Sequence, residues 1–592
     1  MLRNNLFISS IIWSISKTRF LIKAITTIFA SLIPAINILI IRYVISVMES
    51  NDANKKEIFL QVMLVLFVYV LIQIVMRIFE IWNSAYIDPV IVYKINNHMN
   101  NVFISKAKEF EYSCFEDPIF FDKYVRALNQ VDTVTHSVFN AFFGLFAGII
   151  SVVSLISIIF LMDWSVLLFV IFNVIVKFIQ SVIFAKLNFD KNQSLTPLSR
   201  KQSYIKRLLY IPDYAKEVKY YDIISTGKKY YEQALNDIIS VIKKFGVKIA
   251  ILNTAINIIS VFSSGGLMVF LISNVLFGAY KIADFSALSS SSTQLETALN
   301  SIFQTLSTFY QNSLEIENLK FVYNYENRSH FIGDEILDIT EPFKIAIEQL
   351  SFKYPNANEF VLKDISFTIE RGEKVSIVGL NGSGKTTLIK LLLGLYPPTS
   401  GKIYINDKDI NSYPKKELQK KIGVAFQDTH VYAYSVKENI AFEGKINDDV
   451  VLILKRMDIY NKIISLPEGF ETVLSKEFDN NGINISGGEI QKICIARALN
   501  IKSGLYIFDE PSSSLDPVSE YEINKIITEL KSNTVILVSH RLSTTVMSDN
   551  ILMFQKGRLI EQGNHNNLMQ LNGEYARLFK IQSSKYITNH MI

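Results

Sequence analysis

Cysteine is scarce in this chain of 592 residues, in which Cys114 and Cys494 are the only two. Two cysteines exclude a disulfide framework and a cysteine-rich metal site. A strong charge of one sign is also lacking, because the formal net charge is only +5. Lysines that flank the apolar runs described next account for this small excess, so we do not predict nucleic-acid binding.

Apolar runs without charge occupy the first half of the chain. A membrane-crossing helix needs about 20 apolar residues. Six segments fit: Ala24–Ile41, Ile58–Met76, Thr133–Met162, Trp164–Val176 with an extension to Ala185, Ile249–Tyr280, and Phe285–Ser307. One such run alone could be a buried core helix, but six in succession predict an all-α six-helix transmembrane domain. Residues 1–16 lack a small-residue cleavage site, so we expect no cleavable signal peptide.

Lysine and arginine are concentrated in alternate loops. The N-terminal segment and the loops after the second and fourth runs are rich in both. The opposite connections are short and poor in basic residues: Asn51–Glu57, Asp163 and Lys281–Asp284. Because basic loops stay on the cytoplasmic side, we expect a multi-pass protein of the cell inner or plasma membrane with both termini cytoplasmic.

Two loops, Asn83–Asp132 and Lys186–Lys248, are far longer than a connection requires. Both are helical in character, so we expect membrane helices to continue into the cytosol and turn back. The predicted turning points are Phe115–Lys123 and Asp213–Tyr220, with a helix start at Pro118. Their mixture of aromatic and charged residues suits docking on another domain, and a solvated amphipathic turn is the alternative.

The second half contains a phosphate-binding loop, Gly379–Thr387, between a predicted buried strand and a predicted helix. Its glycines let successive backbone N–H groups surround an anion, and the helix directs its positive end to the same place. Lys385 can reach the terminal phosphates, and the Thr386 hydroxyl can hold Mg²⁺. The alternative is a glycine-rich turn that binds nothing.

Four further motifs complete this constellation. Asp509 and Glu510 end an apolar strand, where Asp509 can hold Mg²⁺ and Glu510 can orient or deprotonate the attacking water. His540 ends another apolar strand and can touch the γ-phosphate, although a histidine there is often structural. Gln427 can sense the metal and the water, and Tyr354 can stack on adenine.

The segment Ser486-Gly487-Gly488 begins an apolar-periodic helix and forms a second anion cradle. One chain cannot easily use both cradles on a single nucleotide. We therefore expect two chains, arranged head to tail, each of which offers its Ser-Gly-Gly segment to the ATP of the other.

This order of motifs resembles the ATP-binding cassette (ABC) superfamily, and six spans before one cassette resemble an exporter half-transporter. The resemblance implies an α/β P-loop ATPase domain over residues 342–592, a linker over 316–341 and a transmembrane domain over 1–315. It implies ATP and Mg²⁺, with Glu510, His540 and Gln427 as catalytic residues and Thr386, Gln427 and Asp509 at the metal. The implied nucleotide contacts are Tyr354, Gly379, Asn381, Gly382, Ser383, Gly384, Lys385, Thr386, Thr387, Ser486, Gly487, Gly488 and Asp516.

The chain departs from the superfamily pattern at its signature segment, where Ile485 and Glu489 stand in place of the commonest Leu and Gln. The stretch 478–482 also lacks the usual Gly-Glu-x-Gly pattern. The phosphate-facing Ser-Gly-Gly is intact and Glu510 is present, so we expect a hydrolytically competent site. The expected partner is a second copy or a homologous half-transporter.

The cargo is predicted from the sixth span, which carries many serines, Gln294 and Glu296. Polar residues within a membrane line a cavity or pack between helices. We expect a polar cavity for a peptide or amphipathic molecule, with Glu296 as the best candidate to contact a cationic or amphipathic cargo. The Phe115–Lys123 pattern resembles that of lantibiotic and multidrug exporters. A lipid flippase or multidrug pump is the main alternative. An ATP-gated regulator or channel is disfavoured, because such proteins often lose the catalytic carboxylate, which this chain retains as Glu510.

Overall fold

The structure is a computed structural model, and it describes residues 2–49, 55–326, 333, 335, 337, 341–355, 357–442, 444–530 and 532–587. Contacts divide the chain into two compact units. A helical unit comprises Met1–Lys108 and Ile119–Tyr325, and an α/β unit comprises Glu109–Pro118 and Glu326–Ile592.

Long helices build the helical unit. They are α1 (Leu2–Ile15), α2 (Lys17–Glu49), α3 (Lys55–Trp82), α4 (Asp88–Ala107), α6 (Pro118–Met162), α7 (Val166–Tyr210), α8 (Pro212–Tyr220), α9 (Ile223–Leu276) and α10 (Ile282–Tyr323), whereas the short α5 (Tyr112–Glu116) belongs to the α/β unit. A π-helical turn, Asn83–Ile87, joins α3 to α4.

Within the described residues, five helical segments are long and apolar enough to cross a membrane: Phe20–Glu49, Ile58–Ala107, Pro118–Met162, Val166–Tyr210 and Ile223–Leu276. They contain the first three predicted spans and most of the fourth and fifth, because Trp164 and Ser165 precede Val166 and residues 277–280 follow Leu276. The sixth predicted span lies in α10, a helix of 42 residues that is absent from this set. The many polar residues of α10 explain the difference. On α3, by contrast, the large apolar side chains of Phe59, Leu64 and Phe67 are exposed, as expected for a lipid-facing helix.

Three helices are much longer than a bilayer requires. Helices α6 and α7 have 45 residues each, and α9 has 54. At 1.5 Å per residue they extend about 68 Å and about 81 Å, whereas the hydrocarbon core is about 30 Å thick. These lengths support the prediction that the membrane helices continue well beyond the bilayer, which stays a prediction.

The turning points differ in detail from their predictions. Pro118 begins α6, as predicted, because its ring is accepted in the first turn of a helix. Residues 119–123 already belong to α6. The first turning point of the chain therefore lies earlier than the predicted Phe115–Lys123, and it contains α5. The second turning point is α8, which contains the predicted Asp213–Tyr220.

Two sheets form the α/β unit. An antiparallel sheet has the order β2–β1–β4–β5, and a second sheet has the order β10–β9–β3–β8–β7–β6. The strands are β1 (Ile345–Phe352), β2 (Leu362–Ile369), β3 (Lys374–Gly379), β4 (Ser400–Ile405), β5 (Lys408–Asp409), β6 (Ile422–Ala425), β7 (Leu505–Asp509), β8 (Thr534–Val538), β9 (Asn550–Gln555) and β10 (Arg558–Gly563). The helices are α11 (Lys385–Leu392), α12 (Lys415–Lys420), α13 (Val436–Ile440), α14 (Asp448–Arg456), α15 (Tyr460–Ser465), α16 (Gly487–Asn500), α17 (Pro517–Thr528), α18 (Leu542–Thr545), α19 (His565–Leu571) and α20 (Glu574–Ile587).

The six-stranded sheet positions the site. Its strands β9, β3, β8, β7 and β6 are parallel, and β10 is an antiparallel edge. Every residue of β7 and β8 is buried, which is typical of parallel strands with both faces covered. Parallel strands bring their carboxyl ends to one edge, where ligands bind in open α/β sheets. The strands that end at Gly379, Asp509 and Val538 therefore deliver their following residues to the same edge.

The predicted domain boundaries at 315/316 and 341/342 remain a prediction. Helix α10 runs through Tyr323 and so continues into the predicted linker. Most of residues 327–340 and part of the predicted connection Asn51–Glu57 lie outside the described residues.

Candidate functional site

The phosphate loop joins β3 to α11, as the motif predicts. Gly379 and Gly384 have φ angles of +153° and +102°. A Cβ atom at Gly379 would lie 2.3 Å from the Phe554 carbonyl oxygen, so the close approach of the backbone requires glycine there. The Ser383 side chain is buried, and its Oγ has no hydrogen-bond partner. An orphaned polar atom inside a glycine cradle fits an anionic ligand.

Lys385 begins α11 and is 5% exposed. Its Nζ donates hydrogen bonds to the carbonyl oxygens of Gly379 at 2.8 Å and Leu380 at 3.1 Å. Burial lowers the pKa of Lys385, and the nearby charges of Glu510 and Asp509 offset only part of that effect. The ammonium group is thus held at the mouth of the loop, where a phosphate would compensate for its lost hydration.

Asp509 ends β7 and is 2% exposed, and its Oδ1 atom is buried without a hydrogen-bond partner. Burial, together with the charge of Glu510, raises the pKa of Asp509 to about 6. A buried carboxylate oxygen that lacks a donor suits a hard cation such as Mg²⁺. In the described part of the chain, no group of three His, Cys, Asp or Glu side chains could hold a metal ion. The metal assignment of Thr386, Gln427 and Asp509 stays a prediction.

The three predicted catalytic residues lie together at the strand ends. One carboxylate oxygen of Glu510 pairs with Nε2 of His540, and the other accepts a hydrogen bond from Nε2 of Gln427 at 3.2 Å. Burial and the charge of Lys385 lower the pKa of His540, against the opposite effect of Glu510. Glu510 has a φ of +53°, a strained angle for this residue type, and its N–H donates to the Val538 carbonyl. Neighbouring strand β8 thus fixes the backbone of the candidate base.

An open cavity of about 580 Å³ adjoins this group. It is lined by residues of the phosphate loop and of the β8 end, including Gly379, Asn381 and His540. Tyr354, the predicted adenine platform, lies next to α11, because its hydroxyl hydrogen-bonds Oγ1 of Thr387 at 3.0 Å. Gly382 and Thr386 belong to the same loop and helix start. Tyr354 and the phosphate loop therefore lie at the same end of α11, and their nucleotide contacts stay a prediction.

The Ser-Gly-Gly segment forms the exposed start of α16. Ser486 is the N-cap: its N–H and its Oγ both hydrogen-bond Glu489, and its carbonyl accepts from the N–H of Ile490. Asp516, a predicted nucleotide contact, caps α17 by accepting hydrogen bonds from the N–H groups of Val518 and Ser519 at 3.0 Å each. Asp516 therefore has a local structural role, and its nucleotide contact remains a prediction.

Gln491 is a residue that the sequence analysis missed. It is 2% exposed, and its Nε2 donates to the Glu510 carbonyl at 3.0 Å and to Oγ of Ser513 at 3.2 Å. Its Oε1 accepts from the N–H of Ser514 at 2.9 Å. One side chain on α16 thus holds the segment that carries the candidate base. A glutamine between the apolar positions of a buried helix face was the available signal.

Helix α5 packs within the α/β unit. Glu116 accepts a hydrogen bond from Lys390 at 3.0 Å and another from the hydroxyl of Tyr396. The rings of Tyr112 and Tyr396 meet edge to face at 5.7 Å. Helix α5 thus contacts the helix that follows the phosphate loop and the segment after it, within the same unit, and the predicted docking of the first turning point on another domain stays a prediction.

Glu296, in the sixth predicted span, is paired within the helical unit, and its predicted contact with cargo stays a prediction. Its Oε1 accepts a hydrogen bond from Asn173 at 2.8 Å, and its Oε2 pairs with Lys177 at 3.3 Å. A charge in a membrane is costly unless it is paired, which explains why α7 supplies a cation to α10. A cationic cargo would have to displace Lys177 to reach this carboxylate.

Comparisons with known proteins identify the family of the chain. Residues 362–513 match the family model described as "ABC transporter". The chain is 30% identical over 524 residues to the subtilin transport ATP-binding protein SpaT of Bacillus subtilis, which is 86% of this chain and 82% of that protein. It is 39% identical over 242 residues to the ATP-dependent lipid A-core flippase of Coxiella burnetii, 40% of each protein.

For three further curated relatives, the aligned part covers between 36% and 53% of the relative's length. A solved structure of a bacterial Atm1-family ABC exporter with ATP bound has a TM-score of 0.80 at 22% identity and covers 95% of this chain and 99% of that one. This likeness shows the fold of both units. The chain belongs to the ABC transporters, as an exporter half-transporter in which a helical membrane domain is fused to one ATPase domain.

Proposed function

We propose that this ATP-driven exporter moves an amphipathic peptide of the lantibiotic or bacteriocin class across the cytoplasmic membrane. The observation that carries the proposal is the match to the subtilin transport protein, since it extends over 86% of this chain and 82% of that relative. The match to the lipid A-core flippase covers 40% of either protein, so it supports a similar ATPase domain more than a similar cargo.

The working unit in this proposal is a dimer of two copies or of one copy with a homologous half-transporter. The phosphates of the chain's own ATP are bound by Lys385 and the phosphate loop at the start of α11. The exposed tip of α16 is therefore left to bind a different nucleotide. Each chain therefore offers Ser486, Gly487 and Gly488 to the ATP held by its partner. Both termini face the cytoplasm, where ATP is present.

The residues of the site divide the chemistry between them. The phosphate loop and Lys385 bind the β- and γ-phosphates, and Asp509 with Thr386 would hold Mg²⁺, which supplies positive charge to the developing transition state. Glu510 orients or deprotonates the attacking water. In the structure described here, His540 is paired with Glu510. It must leave that pair to contact the γ-phosphate, and this exchange frees the carboxylate for the water.

The ion pair between Glu296 and Lys177 has no net charge, which favours an amphipathic cargo over a simple cation. The pair presents no net charge to the membrane interior, so recognition of a simple cation by Glu296 is disfavoured. An amphipathic molecule that uses polar and apolar contacts along α10 and its neighbours needs no unpaired charge. Alternating access then follows when closure of the ATPase dimer moves the long helices.

The test is the ATPase rate of the purified full chain in lipid nanodiscs. We expect stimulation by amphipathic cationic peptides that contain ring-forming or helical segments, and a weaker response to lipid A or hydrophobic cations added at equal concentration. A flat response across the peptide panel, together with stimulation by lipid or by hydrophobic cations, would favour the flippase or multidrug function instead.

A further inference from the structure

Glu489 places a carboxylate at the tip of the helix that the proposed function offers to ATP. Its Oε2 accepts a hydrogen bond from the Ser486 N–H at 2.8 Å, and its own N–H donates to Oγ of Ser486 at 3.4 Å. This reciprocal pair is a capping box, which glutamic acid and glutamine can both form. The cap thus needs the side-chain oxygen of this residue but not its charge.

The charge has a consequence for phosphate binding. The start of a helix carries roughly half a positive charge. An ionised carboxylate in the first turn adds a full negative charge, so that the tip formed by α16 and Glu489 alone has a net charge of roughly minus one half. Such a tip stabilises its own helix but repels the anion that it must bind.

Lys462 compensates for the negative charge of Glu489. Lys462 lies on α15, and its Nζ pairs with Oε1 of Glu489, while Oε2 accepts the capping hydrogen bond from the Ser486 N–H. The Glu489 side chain is 19% exposed and that of Lys462 is 54% exposed. Burial raises the pKa of Glu489, but the hydrogen bonds from Lys462 and Ser486 outweigh burial and hold the pKa below its usual range. The carboxylate is therefore ionised and needs the cation.

We propose that Lys462 is a positioning residue of the ATP sandwich, which acts by neutralising Glu489 so that the tip of α16 attracts the terminal phosphate of the partner's nucleotide. The inference rests on the proposed head-to-tail dimer. With the ammonium included, the tip regains a net charge of roughly plus one half. Lys462 is remote in sequence from every recognised motif, and its role depends on a glutamate in the place where glutamine is commonest.

A purely structural role makes a different prediction. If the ion pair only anchors α15 to α16, Lys462→Ala and Glu489→Gln break the same contact, and the double variant behaves like Lys462→Ala. If the pair controls charge, only Lys462→Ala leaves an unpaired carboxylate at the tip. Glu489→Gln then removes the cause of the defect and restores function to Lys462→Ala.

The experiment measures ATPase rate against ATP concentration for the full chain in nanodiscs. We expect Lys462→Ala to raise the KM for ATP about five- to tenfold, the effect of one charge acting across several ångströms of partly hydrated protein. The defect should shrink at high salt. Lys462→Ala/Glu489→Gln should return to within about twofold of the unmodified chain, and Lys462→Arg should retain the unmodified KM.

Lys437→Ala is the matched control, because Lys437 forms a comparable ion pair with Glu471 at 2.9 Å elsewhere in the same unit. An unchanged KM for Lys462→Ala, or a double variant no better than Lys462→Ala, overturns the proposal. Ser486→Arg separates this failure from that of the dimer: loss of activity in Ser486→Arg with no effect of Lys462→Ala rejects only the role of Lys462. Full activity in Ser486→Arg rejects the sandwich and, with it, this inference. If Lys462→Ala melts at a lower temperature than the unmodified chain, Lys462→Gln provides the same comparison.

Discussion

Replacing Gln491 with leucine should slow ATP hydrolysis without weakening ATP binding. Gln491 lies on α16 and holds the Glu510 carbonyl and the segment after it. In the proposed dimer, the tip of α16 serves one nucleotide and Glu510 serves the other. Leucine has a similar size but no polar atoms. The variant therefore removes the connection between the two ATP sites within a chain and leaves the phosphate loop untouched.

The magnitude follows from the groups that lose their partners. The Ser514 N–H loses its acceptor at 2.9 Å, whereas the Glu510 carbonyl keeps a second donor, the N–H of Ser513, at 3.3 Å. An unsatisfied buried group costs about 1–3 kcal/mol. This hydrogen bond is only half-buried, so we expect a cost near the lower end, about 1–1.5 kcal/mol. If the lost hydrogen bond misplaces Glu510, this free energy is added to the activation barrier for hydrolysis. The kcat then falls about tenfold, since 1.4 kcal/mol corresponds to a factor of ten.

The assay is steady-state ATPase of the full chain, with kcat and KM determined separately. Gln491→Glu is an informative second variant, because it keeps an acceptor for Ser514 but places an oxygen opposite the Glu510 carbonyl. It should also reduce kcat. Gln555→Leu is the control, since the side chain of the half-buried Gln555 makes one long hydrogen bond, to Glu574 at 3.4 Å. A kcat for Gln491→Leu equal to that of the control would refute the reasoning.

Four other predictions concern the ATPase unit. Glu510→Gln should lower turnover at least about a hundredfold while ATP still binds, and normal hydrolysis would remove its assignment as base. Lys385→Ala should raise the Kd for ATP at least about tenfold, and an unchanged Kd would contradict its phosphate contact. Asp509→Asn should raise the unfolding midpoint of the nucleotide-free chain at pH 7.5, because ionisation of a buried carboxyl with a pKa of about 6 rather than 3.8 costs up to about 3 kcal/mol. This gain should vanish as the pH falls through 6 toward 4, where the wild-type carboxyl is protonated, and a gain independent of pH would exclude titration as its cause. Glu116→Ala should release α5 from Lys390 and speed proteolysis between residues 109 and 117, so an unchanged cleavage rate would argue against that docking contact.

The motifs whose residues are contiguous were predictable from the sequence. The strand, glycine loop and helix around Lys385 and the apolar strand that ends at Asp509 need only local spacing to be recognised. The parallel register that brings Glu510 and His540 together follows from both residues standing at the ends of buried strands. Sequence reasoning therefore located the candidate catalytic group, and the structure supplied its hydrogen bonds.

Side chains whose partners are distant in the chain could not be assigned in this way. The pairing of Glu296 with Lys177 depends on how α7 and α10 pack, so the carboxylate was expected to be available to cargo. Gln491 acts through backbone groups about twenty residues away, on another element. The start of α6 at Pro118 was predictable from local helix chemistry, but the position of α5 depends on tertiary contacts with Tyr396.

The central claim is that two chains enclose ATP between the phosphate loop of one and the Ser486 tip of the other. The most direct measurement is the distance between spin labels on the two ATPase units of the Glu510→Gln dimer, with and without MgATP. The account predicts a short, narrow distance distribution with MgATP that is lost when Ser486 is replaced by arginine. A distribution that does not respond to MgATP, or that closes equally well in Ser486→Arg, would contradict it.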